Sequence, residues 1–529
     1  MIRVGNIKVP LDFDFNDLEG FCSRKFGIYG NNLIKVRLAK KSVDARKKSD
    51  VHFIISLDIE AQEEKRLQKS LKNAVLVNEF HYKIDHVPPV STRPVIVGFG
   101  PAGMFAALVL AMAGARPVVL ERGADVDSRV KAVEEFRTTG RLDTECNIQF
   151  GEGGAGTFSD GKLTTGIKDK RIGWIMERLV EFGAPDEILY LAKPHIGTDK
   201  LRDVVKKLRE RVISLGGEVI FGARFCGYKA ENGCISSVSY EKEGRLHTIE
   251  AADLILASGH SARDVFELLY DNKVSLSQKN FAVGVRIEHK KELIDKAMYG
   301  DFAGHQALKA ADYKLAVHLP NGHTLYTFCM CPGGEVVAAS SEEKRLAVNG
   351  MSCFARNAEN SNSALLVNVD TGDYGSDHPL AGMYFQRELE EKAFIAGGSD
   401  YCAPVITVGE FLGNTAGEDV VPSYRPGVKK VHPSEYLPDF VCESLKLGIP
   451  EMGRKIKGFD ASGAVLTGIE SRSSSPVRIN RGEDMQSLSL KGLYPCGEGA
   501  GYAGGIISAA ADGMKCAEAV INRMNNEIT

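Results

Sequence analysis

The segment PVIVGFGPAG, residues 94 to 103, predicts a buried strand, a tight turn and the start of a helix. Val95–Val97 is a β-branched run, which is typical of a strand buried on both faces of a parallel sheet. Gly98 allows the tight turn, Gly100 lets the backbone approach a phosphate group, and Gly103 lets the helix pack closely against the strand. We therefore interpret the segment as a phosphate-binding loop at a helix N-terminus, where free backbone N–H groups attract anions.

The residues after this loop complete a β-α-β unit. Met104–Ala115 predicts a buried helix rich in small residues, and a second apolar strand follows it and ends at Glu121. An acidic side chain at the end of that strand can accept hydrogen bonds from both hydroxyl groups of a ribose, and it disfavours the 2′-phosphate of NADP. A dinucleotide is therefore expected here, although the loop alone does not separate NAD from FAD.

A second glycine-rich segment, GEGGAG at residues 151–156, matches the same literal pattern but lacks its context. The residues that follow it, TFSDGKL, do not predict a small-residue helix, and no strand with a terminal acid comes next. It is therefore not a second dinucleotide fingerprint. We expect its backbone at Gly153, Gly154 and Gly156 to contact the cofactor, and a simple surface turn is the alternative.

Composition places the chain among ordinary globular proteins with more than one domain. Of its 529 residues, 43% are hydrophobic and 26% are charged, and its formal net charge of -3 argues against a generally polybasic binder of nucleic acid or membrane. No apolar stretch reaches the roughly 18 residues of a membrane span, and the first residues do not resemble a signal peptide. The 11 cysteines form neither a zinc-type array nor a compact disulfide pattern, so a cytoplasmic location is expected.

Residues 1–90 are predicted to form a separate α+β unit with the ferredoxin-like order β-α-β-β-α-β. The predicted elements are the strands Ile2–Val9, Leu33–Leu38, Val51–Ile59 and Asn73–Phe80 and the helices Asn16–Phe26 and Ala61–Leu71. The segment His86–Pro94 contains three prolines and is predicted to be a linker.

This unit contains a basic run, Lys35–Lys48, which includes the lysines Lys40, Lys41, Lys47 and Lys48. A basic run beside a ferredoxin-like sheet could bind RNA, but the aromatic signature of an RNA-recognition sheet is missing. The alternative is a solvated hairpin connection that docks on the larger domain.

Strands and helices alternate along the rest of the chain, and the opening pattern returns near the C-terminus. The predicted elements are the helix Lys200–Ser214, the strand Glu218–Phe221, the antiparallel strands within Gly227–Tyr240 and at Arg245–Ile249, the buried strand Asp253–Ser258, and the strands Phe281–Glu288 and Glu335–Ala339.

Two distant segments identify the dinucleotide by resemblance. The segment DLILASG, residues 253–259, resembles the strand and Ala-Thr-Gly-type turn of flavoproteins of the glutathione-reductase superfamily, with Ser258 in place of threonine. The segment GLYPCGEGAGYAGG, residues 492–505, resembles their C-terminal signature, with Glu498 in place of the usual aspartate. Taken whole, the chain resembles an uncharacterised branch of bacterial FAD-dependent dehydrogenases with an N-terminal ferredoxin-like extension.

This resemblance implies FAD as the cofactor and an α/β fold with four segments. These are a ferredoxin-like domain at 1–90, a Rossmann-like FAD-binding domain at 91–269, an inserted mixed α+β substrate domain at 270–484, and the rest of the FAD-binding domain at 485–529. The implied cofactor-binding residues are Gly98, Gly100, Pro101, Ala102, Gly103, Glu121, Arg122, Arg129, Gly153, Gly154, Gly156, Phe225, Ser258, Gly259, Gly497, Glu498, Gly504, Gly505 and Ile506.

Three of these residues belong to the adenine end of the implied site. Phe225 is placed where a strand backbone would meet the adenine. Arg122 and Arg129 are placed beside it, and an exposed, solvated arginine is the alternative for both.

The middle region contains one distinctive cysteine pair, Cys329-Met-Cys331. A CxC pair can form a strained disulfide, bind a metal with further ligands, or place a thiolate beside a flavin. The alternative is two ordinary cysteines at a strand end before a Pro-Gly-Gly turn. The cysteine pair of disulfide reductases is not expected, since the corresponding segment has only Cys146, and no metal site is predicted.

Other catalytic candidates carry less information, and the catalytic residues stay unassigned. His260 is expected either near the cofactor or as a structural histidine. Arg478 could orient an anionic substrate or pair with Glu470. The segment Asn349–Asn362, which includes Arg356, is interpreted as a polar loop that could contact substrate.

The sequence therefore predicts an FAD-dependent oxidoreductase that transfers hydride between the flavin and an unidentified small molecule. NAD(P)H is the candidate transient electron donor, and neither a membrane nor nucleic acid is expected as a partner. The alternatives are an FAD-containing RNA-binding or RNA-modifying factor and a flavin-bound scaffold without turnover. The substrate, the electron acceptor and the oligomeric state stay open.

Overall fold

The N-terminal unit is a four-stranded antiparallel sheet with two helices. The structure is a computed structural model that describes residues 1–89, 92–414 and 420–526, so residues 90 and 91 of the predicted linker lie outside it. The sheet order is β2-β3-β1-β4. The elements are β1 (Ile2–Val9), α1 (Leu18–Phe26), β2 (Leu33–Asp44), β3 (His52–Ala61), α2 (Glu64–Ser70) and β4 (Ala74–Leu76).

The basic run is mostly part of strand β2, because β2 extends six residues beyond the predicted end at Leu38 and stops at Asp44. The prediction of a solvated hairpin connection is therefore wrong for this part. Its docking is observed: the Lys41 N–H donates to the Tyr190 carbonyl at 2.7 Å, and the Lys41 carbonyl accepts from Ala192 at 2.9 Å. The Lys41 ammonium also lies 3.9 Å from the centre of the Phe15 ring.

The second sheet has five parallel strands in the order β23-β11-β5-β6-β7. Its edge strand β23 (Leu493–Pro495) comes from near the C-terminal end of the chain. A three-stranded antiparallel sheet, β10-β9-β8, lies beside it. The elements up to residue 271 are β5 (Val95–Val97), α3 (Pro101–Met112), β6 (Val118–Glu121), α4 (Val126–Thr139), α5 (Arg171–Glu181), α6 (Thr198–Ser214), β7 (Glu218–Phe221), β8 (Arg224–Glu231), β9 (Cys234–Lys242), β10 (Arg245–Glu250), β11 (Leu254–Leu256) and α7 (Arg263–Asp271).

A seven-stranded mixed sheet with the order β14-β15-β18-β13-β21-β19-β20 dominates the middle of the chain, and only its β19–β20 pair is parallel among the described strands. The remaining elements are β12 (Leu276–Gln278), β13 (Phe281–Lys290), α8 (Lys291–Tyr299), β14 (Ala316–His318), β15 (Thr324–Cys331), β16 (Glu335–Ala338), β17 (Val348–Met351), β18 (Asn360–Val369), α9 (Ala381–Gly397), β19 (Ala403–Thr407), α10 (Val408–Phe411), β20 (Val428–Lys430), α11 (Asp439–Lys455), β21 (Val465–Glu470), β22 (Val477–Ile479), β23 (Leu493–Pro495) and α12 (Ile506–Asn526).

Helix α3 is buried from Ala102 to Ala111 and is packed against α12. It begins at Pro101, earlier than the predicted Met104, because proline at the first helical position has its φ already set for a helix. The close packing on α12 depends on Gly513, where a Cβ would lie 2.0 Å from the Ala102 carbonyl oxygen. The helices α3 and α12, which are distant in sequence, therefore pack against each other beside the parallel sheet.

Two further features of the fold bear on the predictions. The segment Asn349–Asn362 is a loop only in its middle, since its ends belong to β17 and β18. Among the described residues, every helix is too short or too polar to cross a lipid bilayer.

Candidate functional site

A cavity of about 1000 Å³ lies at the carboxyl ends of the parallel strands. Most of the predicted cofactor-binding residues line it, and the three that do not are Gly103, Arg129 and Gly153. The lining members are Gly98, Gly100, Pro101, Ala102, Glu121, Arg122, Gly154, Gly156, Phe225, Ser258, Gly259, Gly497, Glu498, Gly504, Gly505 and Ile506. The structure therefore brings together residues from the start of the parallel sheet, such as Gly98, and residues near the C-terminus, such as Ile506.

The first glycine loop has the conformation that its residues predict. Gly98 has a φ of +93°, which favours glycine, and the chain turns there from β5 toward α3. Gly103 lies behind the loop, where a Cβ would be 1.9 Å from the Gly98 carbonyl oxygen. A Cβ at Gly100 would meet only the Gly154 backbone, 3.6 Å away, so the fold itself leaves room at this lining position.

Glu121 is buried and accepts three backbone hydrogen bonds. One oxygen accepts from Phe99 N at 2.8 Å, and the other accepts from Gly123 N at 3.0 Å and from Gly151 N at 2.9 Å. These bonds join both glycine-rich segments to the end of β6. The sequence predicted a contact between Glu121 and a ribose but not these internal hydrogen bonds. A carboxylate can accept more than three hydrogen bonds, so Glu121 can still accept one from the cavity that it lines.

Arg129 is fully buried behind the second glycine loop, so the alternative of an exposed arginine is wrong. Its guanidinium donates to backbone carbonyls of the 147–154 segment, including Asn147 at 2.9 Å, Glu152 at 2.7 Å and Ile148 at 2.8 Å. Burial lowers the pKa of Arg129 to about 10, so the side chain keeps its charge at neutral pH. Arg129 is a positioning residue for the loop rather than a lining residue.

Arg122 lines the cavity but is held by protein partners. Its guanidinium pairs with Glu145 at 2.9 Å and with Asp264 at 2.7 Å. It also lies 4.4 Å from the centre of the Phe150 ring. Arg122 is therefore only slightly exposed, and a fully solvated arginine is not what the structure contains.

The C-terminal loop is fixed from behind by Asp512, a residue that sequence reasoning missed. Its carboxylate accepts from Gly497 N at 2.8 Å and pairs with Arg481 at 2.6 Å. Asp512, Cys496 and Cys516 also place ligand-type atoms within 4.8 Å of one another. Because both carboxylate oxygens of Asp512 already accept from Arg481, this cluster does not support a metal proposal.

Two titratable residues near the C-terminal loop have shifted pKa values. Burial raises the pKa of Glu498 to about 7, against the opposing charge of Lys279. Burial lowers the pKa of His260 to about 3, helped by the positive charges of Arg472 and Arg263. His260 lines the cavity, with Nδ1 3.0 Å from the Ser261 hydroxyl, and is neutral at physiological pH.

Side chains from the 312–356 segment line the cavity together with Asp160 and Lys162. Arg356 and Asp160 form a buried ion pair in which Arg356 Nε donates to Asp160 Oδ1 at 2.9 Å. Lys162 lies 3.8 Å from the same carboxylate, and Asn349 completes this polar surface. The 349–362 segment therefore supplies two cavity-lining side chains, Asn349 and Arg356, and a contact with substrate stays a prediction.

Arg286 organises the strands beside this polar surface and was not predicted. It is fully buried, pairs with Glu470 at 2.8 Å, and donates to the Cys329 carbonyl at 2.6 Å. Burial raises the pKa of Glu470 to about 7 despite this partner. The predicted pairing of Glu470 with Arg478 is wrong, since Arg478 is exposed and packs near the Tyr502 ring instead.

The lining residues fit FAD in size and chemistry. The cavity volume is that of a cofactor site, and the N-termini of α3 and α12 both open onto it. A Cβ added at Gly259, Gly504 or Gly505 would meet no protein atom within 4 Å. Gly259 has a φ of +77°, which itself favours glycine, whereas Gly504 and Gly505 leave a space that neither the backbone nor the packing of the protein requires.

Comparison with known families agrees with this fit. Residues 280–473 match the family described as "FAD-dependent protein, C-terminal domain-like", and residues 1–60 match a domain of unknown function. FAD is therefore the cofactor of this protein. The chain is 47% identical over 534 residues to an "Uncharacterized protein" of Clostridium beijerinckii, with 99% of each chain covered. It belongs to the same family as that protein.

Solved structures show more distant similarity. A flavin-dependent brominase is 12% identical, with 82% of this chain and 79% of that chain covered and a TM-score of 0.39. A geranylgeranyl bacteriochlorophyll reductase-like protein of Thermoplasma acidophilum is also 12% identical, with 82% and 79% covered and a TM-score of 0.38. A flavoprotein/dehydrogenase from Cytophaga hutchinsonii is 11% identical, with 82% and 79% covered and a TM-score of 0.37.

Proposed function

We propose that this protein is an FAD-dependent oxidoreductase that moves an electron pair between FAD and a small molecule. The observation that carries the proposal is one cavity with two kinds of lining. Glycine loops and helix N-termini form one part of the lining, and ionisable side chains of the inserted region form another. FAD supplies the redox chemistry, and the protein supplies binding, orientation and electrostatics.

The N-terminus of α12 supports this function. Gly505 and Ile506 line the cavity at the start of a 21-residue helix. The partial positive charge at this helix end would stabilise the negative charge that a flavin gains on reduction. We therefore propose Gly504, Gly505 and Ile506 as neighbours of the flavin ring, and the Gly98–Gly103 loop as the pyrophosphate site.

The finer fold assignment is part of the same proposal. The five parallel strands and the helices between them support a Rossmann-like FAD domain made of residues 91–269 and 485–529, with 270–484 inserted as the substrate domain. The order β2-β3-β1-β4 with two helices supports a ferredoxin-like domain at 1–90. Because Lys41 docks this domain on the rest of the chain, we do not propose RNA binding for the basic run.

An absorbance spectrum of the purified protein tests the proposal, followed by anaerobic addition of NADH or NADPH. Flavin bands that bleach would support a reducible flavoenzyme with NAD(P)H as its donor. Flavin bands that persist with NAD(P)H but bleach with a metabolite would support an oxidoreductase with another donor. Bands that no metabolite bleaches would favour a flavin-bound scaffold. A colourless protein that does not take up added FAD would contradict the proposal.

A further inference from the structure

The strand that carries Cys329 departs from regular geometry at that residue. Phe328 pairs with Ala364 and Cys331 pairs with Asn362, so β15 contains one extra residue relative to β18. Cys329 lies inside this bulge with a φ of +41°, a left-handed value that is rare for residues other than glycine. Bulges often re-aim side chains next to active sites. Here Cys329 lines the cavity, and Cys331 is fully buried.

Hydrogen bonds give the two sulfur atoms different protonation states. The Cys331 thiol donates to the Cys329 carbonyl oxygen at 3.4 Å. Its side-chain interaction with Cys329 is the largest cause that lowers the pKa of Cys329 to about 6. The positive charges of Lys162 and Arg286 lower it further, whereas burial and the Asp160 carboxylate raise it. The same interaction raises the pKa of Cys331 well above its usual range. Cys329 is therefore the thiolate of the pair, and Cys331 holds the proton.

The thiolate lies within electrostatic reach of the proposed flavin site. The negative charge of Cys329 raises the pKa of Glu498, which belongs to the C-terminal glycine loop. Cys329 and Glu498 also line the same cavity as Gly505 at the start of α12. Cys329 thus lines the same cavity as the glycine loops, and the buried Cys331 follows it two residues later at the end of β15.

We propose that Cys329 and Cys331 form a redox-active dithiol that exchanges an electron pair with FAD in this cavity. The proposal rests on the FAD-dependent oxidoreductase function proposed above. It assigns Cys329 as the residue that reacts in the cavity and Cys331 as the residue that completes the disulfide.

The exchange balances without a further reagent. In the oxidising direction an S–S bond forms between the two sulfur atoms, and the pair loses two electrons. FAD accepts these electrons with two protons, one from the Cys331 thiol and one from solvent, because Cys329 enters as a thiolate. In the other direction the reduced cofactor returns two electrons, the S–S bond breaks, and the thiol and thiolate re-form.

An anaerobic reductive titration of the FAD-loaded protein tests this exchange. The protein is first oxidised with diamide, which is then removed, and dithionite is added while the flavin absorbance is followed. Wild-type protein should consume one more equivalent of dithionite per FAD than Cys329→Ser or Cys331→Ser, since only wild type has this disulfide to reduce. Both variants should keep full flavin absorbance. Cys234→Ser removes an exposed cysteine on β9 and should match wild type.

A second measurement separates the two cysteine roles in the reduced protein. Iodoacetamide labelling of Cys329 at pH 7 is followed by peptide mass spectrometry. Cys331→Ala removes the donor, so the pKa of Cys329 should return toward its usual value and labelling should slow by about tenfold or more. Cys331→Ser keeps a hydroxyl donor, so labelling should stay within about threefold of wild type. Equal labelling rates in wild type and Cys331→Ala would contradict the assigned roles.

The outcomes distinguish this inference from the proposed function. Equal dithionite consumption by wild type and Cys329→Ser, with flavin bound and reducible, overturns the dithiol and leaves the oxidoreductase proposal standing. If dithionite reduces the Cys329–Cys331 disulfide as fast in flavin-free protein as in FAD-loaded protein, the proposed electron exchange with FAD is wrong. Protein that does not bind FAD overturns both.

Discussion

Replacing Gly100 with valine should strongly weaken FAD binding and leave the protein folded. A Cβ at this position would lie 3.6 Å from the Gly154 Cα, which is an ordinary contact, and the φ of -81° is accessible to any residue. Gly100 is the N-cap of α3, so its replacement by a residue that cannot cap should cost about 1 kcal/mol of unfolding free energy. The flavin-free variant should therefore unfold cooperatively, close to the wild-type temperature.

The effect on the cofactor should be much larger than the effect on stability. Gly100 lines the cavity where we place the pyrophosphate, and the methyl groups of valine would take up that space. We expect FAD affinity to fall by at least about 100-fold, which is about 3 kcal/mol of binding free energy. The assay is the ratio of flavin to protein absorbance after purification, followed by titration of flavin-free protein with FAD.

Gly103→Ala is the matched comparison on the same loop. Its Cβ would lie 1.9 Å from the Gly98 carbonyl oxygen, so this variant should lose about 3 kcal/mol of stability through displaced backbone. Gly100→Val should thus mainly lose FAD affinity, whereas Gly103→Ala should mainly lose folding stability. Full flavin absorbance in purified Gly100→Val would show that the pyrophosphate is not bound at this loop.

Three further outcomes follow from the site. Arg129→Met should lower the unfolding free energy by about 3 to 5 kcal/mol, since several buried carbonyls lose their donor, and an unchanged denaturant midpoint would contradict the positioning role. Glu121→Gln should cost about 2 to 3 kcal/mol in flavin-free protein, because an amide cannot accept all three N–H groups, and urea unfolding measures this. The raised pKa of Glu498 means that the native state holds a proton that the unfolded state releases, so flavin-free stability should fall as the pH rises from 4.5 to about 7. Glu498→Gln should reduce this slope in thermal unfolding measured across the same pH range, and an identical slope would contradict the assignment.

The elements of the cofactor side could be predicted from local sequence alone. The β-branched run at Val95–Val97, the glycine positions and the small-residue helix each carry a local pattern, and β5 and α3 form there. Parallel strands bring their carboxyl ends to one edge, which explains why β11, β23 and their loops meet at the same cavity. The start of α12 was implied instead by the resemblance of the segment at residues 492–505 to a flavoprotein signature.

Partners of buried side chains could not be predicted, because they come from distant positions. Arg129 was interpreted as a residue near the adenine, yet its donors are taken up by the carbonyls of a loop that folds around it. Glu470 could have paired with Arg478 by proximity in sequence, but neighbouring strands place it against Arg286. No pattern in the local sequence signals such a pair.

The sequence by itself determined where the three glycine-rich loops lie, because backbone freedom is a property of single residues. Only the tertiary structure decided that these loops line one cavity and that Cys329 lines it too. Cys329 lies in a bulge of β15, and its pKa is lowered by Cys331 and by the charges of Lys162 and Arg286. Charges and hydrogen bonds act through space, so their effect on one sulfur atom is decided only when the chain has folded.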